Sequence, residues 1–193
     1  MTLDLPRTED RASVSPDVSP AASGSVTPRT FKDLFRRHPA GVAVVTLAGP
    51  DGAPVGFTAT SVISVSADPA VLAFSITEVS SSWPALREAS SAVVHFLSHD
   101  HAQLSTRFAT PGIDRFAGVP LTWLPTGEPR LADVNAWARI AIDERVRAGS
   151  SYLVVASVLE LADDLAPDGE PSAPRLVYVD RTYHGTGPHS QVG

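Results

Sequence analysis

The sequence predicts a mainly β fold, an antiparallel barrel with a few short helices. Six or seven runs rich in β-branched residues are spread over residues 41–183, bounded by Gly, Pro, Asp or Ser, as strands and turns require. Along residues 136–143, Ala136, Ala138, Ile140 and Ile142 alternate with Trp137, Arg139, Ala141 and Asp143, which is the period of two of a strand. Helical patterns are confined to three short segments. A small β chain hides its strand edges by closing on itself, hence the barrel.

Taken in order, Thr30 caps a short helix through Arg37, with Asp33 in its first turn and Phe31, Leu34 and Phe35 on one face; Pro39 stops it. Residues 41–47 form a strand, Gly49-Pro50-Asp51-Gly52 turns, and residues 55–61 return as the second arm of a hairpin. After Asp68-Pro69 the near-continuous apolar run 70–76 reads as a strand covered on both faces. Within residues 80–87 a serine caps a short helix that tolerates Pro84 in its first turn. Residues 92–97 are another strand, and Asp100 opens a helix through Arg107, with Gln103 at capping-box spacing. Residues 111–129 are a loop-rich excursion. Strands at 136–146, 152–161 and 176–183 complete the domain, joined by Ala148-Gly149-Ser150 and by the acidic, proline-rich stretch 162–174.

The bulk numbers narrow the function classes. The 193 residues suffice for one well-buried domain and are few for two. A net charge of −6 argues against sequence-independent nucleic-acid binding, which needs a basic surface. No apolar run approaches the length of a membrane span. Cysteine is absent, so there is no disulfide framework, thiol nucleophile or thiolate metal site, which fits a reducing cytoplasm. His99-Asp100-His101 does not converge with other ligand types, and no metal site is expected. Neither a Gly-x-Ser-x-Gly elbow nor a P-loop is present. Residues 1–28 are rich in Pro, Ser, Thr, Asp and Ala, without periodicity, and are expected to be a disordered tail. They lack the basic start and apolar core of a signal peptide. The domain is expected over residues 29–185, followed by a flexible tail at 186–193.

The most informative stretch is residues 56–69, from Gly56 to Asp68-Pro69. Thr58, Thr60, Ser61, Ser64 and Ser66 place five hydroxyls in one short β-rich window. Buried hydroxyls need partners, so such a row suits either a strand cradling a polar ligand or a solvent-facing Ser/Thr strand.

The order of residues here resembles the short-chain flavin reductase family, whose fold is the FMN-binding split β-barrel. The resemblance rests on Gly56, Thr58 and Ser61 as a Gly-x-Thr-x-x-Ser strand, then Ser64-Val65-Ser66, Asp68-Pro69 and the cluster Ser80-Ser81-Ser82. Residues 103–116 (QLSTRFATPGIDRF) and 174–185 (PRLVYVDRTYHG) agree as well. It implies that Thr58, Ala59, Thr60 and Ser61 run beside a flavin, FMN or FAD, with Ser64, Val65 and Ser66 on the following bend. Thr60 stands where the family commonly has asparagine. Ser80, Ser81 and Ser82 would take the phosphate, with Arg107 as a candidate charge partner or else a solvated arginine. Arg181 and Tyr183 match an Arg-x-Tyr that lines the pocket or simply closes the last strand. His95 stands where asparagine is frequent, either near the cofactor or as a satisfied interior histidine.

One departure matters. The family's Gly-Asp-His turn reads Gly149-Ser150-Ser151 here, so Ser151 replaces a histidine on the nicotinamide side. The resemblance implies a homodimer in which NADH or NADPH reduces the flavin, which then serves a partner monooxygenase. The catalytic residue is left unassigned. The alternatives are a flavin-binding split barrel turned to another biosynthetic reaction and a non-catalytic binding module.

Overall fold

The computed structural model describes residues 26–162, 173–187 and 190. The predicted amino-terminal tail therefore lies outside the described residues up to residue 25, and the carboxyl tail lies outside them except at residues 186, 187 and 190. Its elements are α1 (Pro28–Arg36), β1 (Ala40–Gly41), β2 (Ala43–Ala48), β3 (Pro54–Ala59), β4 (Ile63–Ala67), β5 (Ala70–Thr77), α2 (Trp83–Glu88) and β6 (Ser91–Phe96). A 3-10 turn (His99–His101) leads into α3 (Ala102–Ala109), followed by β7 (Leu121–Trp123), β8 (Pro129–Leu131), β9 (Trp137–Ala148), β10 (Ser151–Ala162), β11 (Leu176–Val179) and β12 (Thr182–Gly185).

The fold is mainly β, antiparallel, with a few short helices, as predicted. Seven strands form one antiparallel sheet in the order β3-β2-β6-β9-β10-β5-β4. The two ends of this sheet curl over one core. Phe57 on edge strand β3 reaches Phe74 on β5 across the interior, ring centroids 6.1 Å apart. Strand β2 is buried on both faces, which is why its sequence is almost continuously apolar. Val45 and Leu47 face the main core with Phe74, Leu86, Ile140 and Val154. Val44 faces a second core with Leu97, Phe108, Leu131 and Leu176.

Several local expectations are corrected. Thr27, not Thr30, caps α1; Thr30 is the third helical residue and closes a reciprocal capping box with it. Asp33 lies beyond the first turn and pairs with Arg29. The stretch 56–69 is two strands with a bend at 60–62, because β3 ends at Ala59 and β4 starts at Ile63. Ser82 makes no side-chain cap to α2. The turn into α3 is closed by Ser98 and His101 in place of Asp100 and Gln103. The excursion 111–129 contains a two-stranded hairpin, β7-β8. Residues 176–183 are no single strand. They turn at Asp180 and Arg181, with φ of 48° and 63°, the left-handed pair of a tight hairpin turn.

Buried polar groups tie the β7-β8 hairpin to the sheet. The Thr46 hydroxyl donates to the Pro129 carbonyl, and Arg139 Nε donates to Glu128 Oε1 at 2.9 Å. His95, fully buried on β6, sits 3.1 Å by Nδ1 from the Val44 carbonyl and accepts the Leu131 amide on Nε2 at 3.0 Å. Its ring is therefore a neutral Nδ1–H tautomer. Burial pulls its pKa down from 6.5 to about 3, against the Val44 hydrogen bond that favours the charged form and with help from Arg130.

Candidate functional site

Strand pairing positions the sequence-predicted residues, with β3 at one edge of the large sheet and β4, β5 and β10 towards the other. β3 delivers Thr58 and Ala59; the bend delivers Thr60 and Ser61. Ser61 is pinned to β5, accepting from the Ser75 amide at 2.9 Å and donating to its carbonyl at 3.2 Å. Two residues on, Thr77 lies opposite Ser151, the first residue of β10. The Ser150 carbonyl accepts the Glu78 amide at 3.0 Å, so the β9-β10 turn rests on the segment leading to Ser80-Ser81-Ser82. Beside Ser151, Tyr152 stacks on Trp83, centroids 4.0 Å apart. Ser61, Ser75, Thr77 and Ser151 are thus joined along the β5-β10 side of the sheet, while Thr58 stands on β3 and Thr60 on the bend between them.

The hydroxyls differ in what is left to offer. Thr58 Oγ1 donates to the Ser105 carbonyl on α3 at 2.6 Å and keeps acceptor capacity. Ser105 Oγ in turn lies 2.9 Å from the Tyr183 hydroxyl, so Tyr183 supports the strand from behind. Thr60 is exposed. Ser80 Oγ accepts the Ser82 amide at 3.3 Å, and Ser81 is exposed. Ser82 is buried and turned inward, donating to the Gly56 carbonyl at 3.2 Å. Within the serine cluster, Ser80 and Ser81 are the two hydroxyls open to a ligand.

Arg115 is the residue that sequence reasoning missed. Its Nη1 donates to the Gly56 carbonyl at 2.8 Å and to Ser82 Oγ at 3.1 Å, and its Nε donates to the Thr110 carbonyl at 3.1 Å. No carboxylate pairs with it among the described residues, and Nη2 has no protein acceptor there. Partial burial lowers its pKa from the ordinary arginine value. A guanidinium held only by neutral acceptors is an incomplete anion site. Arg107, by contrast, donates to the Ala117 carbonyl at 2.8 Å and borders a different groove with His101 and Val119. A signal for Arg115 was present: Asp114 accepts the Phe116 amide at 2.9 Å, a local turn that aims the intervening side chain. Only the fold shows that it aims at Ser82.

Ser64 and Ser66 part from the other hydroxyls. They line an open groove of about 570 Å³ with Ile63, Phe96, Trp137 and Leu161, and Val65 beside them is exposed. The hydroxyl row is therefore divided between the β3-β4 bend and the rim of an apolar groove.

Hydroxyls, an exposed serine loop and an uncompensated guanidinium suit a polyhydroxylated phosphate-bearing ligand, the chemistry of a flavin mononucleotide. Comparison with known proteins agrees. The NADH:FMN oxidoreductase of Rhodococcus qingshengii is 39% identical over 184 residues, covering 92% of this chain and 94% of that one. The reductase component of the flavin-dependent trigonelline monooxygenase of Acinetobacter baylyi is 36% identical over 132 residues, 67% of this chain and 42% of that one. The crystal structure of a flavin reductase domain protein from Arthrobacter superposes with a TM-score of 0.75 at 37% identity, covering 83% of this chain and 96% of that chain. A family model described as "Flavin reductase like domain" matches residues 35–187, and the chain belongs to that family.

Proposed function

We propose that this protein is an NADH-dependent flavin reductase that reduces FMN and releases it to a partner monooxygenase. The observation that carries the proposal is the Arg115 guanidinium, bonded to Ser82 of the Ser80-Ser81-Ser82 cluster and to the Gly56 carbonyl that precedes Thr58 by two residues, with no carboxylate partner among the described residues. The relatives support the same reading: one is an NADH:FMN oxidoreductase and another a monooxygenase reductase component. The curled seven-stranded sheet is read as a split β-barrel, residues 29–185 as the functional domain, and the active form as a homodimer. A cytoplasmic location follows from its need for reduced nicotinamide.

When bound, a flavin would supply the redox chemistry as acceptor of a hydride from the reduced nicotinamide. The protein's own groups bind and orient. Arg115 Nη2, Ser80 and Ser81 would hold the phosphate of a bound flavin, and Thr58, Ala59, Thr60 and Ser61 would line its polar chain and ring. Ser64 and Ser66 line the apolar groove, with Val65 exposed between them. Ser151 stands at the nicotinamide side and carries no charge near neutral pH, so it orients without changing the local electrostatics as a protonated histidine would.

The test is to mix purified protein with FMN or FAD and with NADH or NADPH and to follow nicotinamide absorbance. Flavin-dependent oxidation is expected, fastest with NADH and FMN. Flavin binding without oxidation would favour a second reading, a flavin-binding protein turned to another reaction, which Ser151 in the histidine position supports.

A further inference from the structure

Helix α1 has no buried residue. Phe31, Leu34 and Phe35 form one apolar ridge, the two rings 4.6 Å apart, and are 51%, 64% and 54% exposed. A helix this short derives most of its stability from packing an apolar face, and here that face packs against none of the described residues. Among the described residues, the groove bounded by Ile63, Phe96 and Leu161 is likewise open, with Ile63 57% and Leu161 67% exposed.

The ridge does not line the groove of its own chain. Only Arg37, His38 and Pro39 separate α1 from Ala40, and the groove wall begins at Gly41. The helix end is also fixed elsewhere. Arg36 Nε lies 3.0 Å from Asp180 Oδ1, and the Asp180 amide donates to the Arg36 carbonyl at 2.7 Å. That double tie holds α1 against the β11-β12 turn.

We infer that α1 of one copy seats its Phe31–Leu34–Phe35 ridge in the Ile63–Phe96–Leu161 groove of a second copy, and the reverse. The inference rests on the homodimer reading above. A two-fold pair must match each patch with its complement, residue i on j and j on i. A convex ridge on a concave groove satisfies this, whereas groove on groove would enclose a void. The six side chains expose on the order of 100 Å² each, given the size of such residues. Together they offer about 600 Å² per partner, the lower end of a stable interface. Ser64 and Ser66 line the same groove, so the helix would border the hydroxyl row.

The chain has no cysteine, which makes disulfide trapping clean. Two full-length variants, Leu34→Cys and Leu161→Cys, are to be oxidised separately and as a refolded mixture, with light scattering of the unmodified protein alongside. The expected result is a dimeric mass and a covalent dimer that forms in the mixture at least tenfold faster than in either variant alone. Equal trapping of Leu34→Cys with itself, or no trapping in a dimeric protein, overturns the contact while leaving the homodimer reading intact. A monomeric mass at micromolar concentration overturns both. A Phe31→Ser/Leu34→Ser/Phe35→Ser chain, altered only on a helix with no buried residue, should keep its fold and weaken dimerisation by at least tenfold; undiminished dimerisation overturns the contact.

Discussion

Arg115 Nη1 lies 3.1 Å from Ser82 Oγ, and both groups donate to the Gly56 carbonyl, at 2.8 and 3.2 Å. This places a positive charge at the junction of β3, the serine loop and the segment after α3. It also couples the alignment of the hydroxyl row to whatever occupies the remaining face of the guanidinium.

Arg115→Gln should weaken FMN binding by roughly tenfold or more, since a hydrogen bond to a charged group contributes about 1.5–3 kcal/mol and ~1.4 kcal/mol is a factor of ten. Riboflavin, which lacks the phosphate, should lose little. Arg107→Gln serves as the control, with near-unchanged affinity, because that side chain reaches Ala117. Fluorescence titration reads all three. Equal losses for FMN and riboflavin would point to a merely structural role.

Gly56→Ala should destabilise the fold by about 1–3 kcal/mol, the usual cost of overpacking. A Cβ there would lie 2.7 Å from Phe108 Cε1 and 3.0 Å from Phe116 Cζ. Either a ring must move or β3 must shift its carbonyl away from Arg115. A lowered denaturation midpoint and weaker FMN binding should appear together.

His95 makes stability pH-dependent. Its folded-state pKa is depressed to about 3, so the folded protein binds fewer protons than the unfolded chain between that value and 6.5. The contribution is fully present above about 6.5 and is lost as pH falls towards 3, at ~1.4 kcal/mol per pH unit for one proton. Denaturant titrations across this window should show that slope, and His95→Asn should remove it at the cost of lower stability at neutral pH. An unchanged slope in the variant would assign it to carboxylates.

Ser151→His should raise flavin-dependent NADH oxidation, about tenfold for each ~1.4 kcal/mol of better transition-state placement. Ser151 begins β10, pairs with Thr77 and Ala148 and is partly exposed. Steady-state rates with saturating FMN measure it. An unchanged rate in a protein that still binds FMN would remove the missing histidine as the limiting feature.

The sequence alone determined what depends on neighbours along the chain. Period-two alternation marked β9, the apolar run marked β5, and the ordered Gly56, Thr58, Ser61 and Ser80–Ser82 pattern pointed to the family, because side-chain direction and turn chemistry repeat over a few residues. Helix caps were misplaced by a few residues, since Thr27 and Thr30, or Ser98 and Asp100, are chemically interchangeable at that range. What only the tertiary structure decided depends on distant pairings. Gly56 and Arg115 are 59 positions apart, and the strand order β3-β2-β6-β9-β10-β5-β4 sets which of the serines meet. It turned Ser82 inward, separated Arg107 from the serine cluster and sent Ser64 and Ser66 to the groove. Hydrogen-bond partners and burial are properties of packed neighbours, and no local pattern in the chain encodes them.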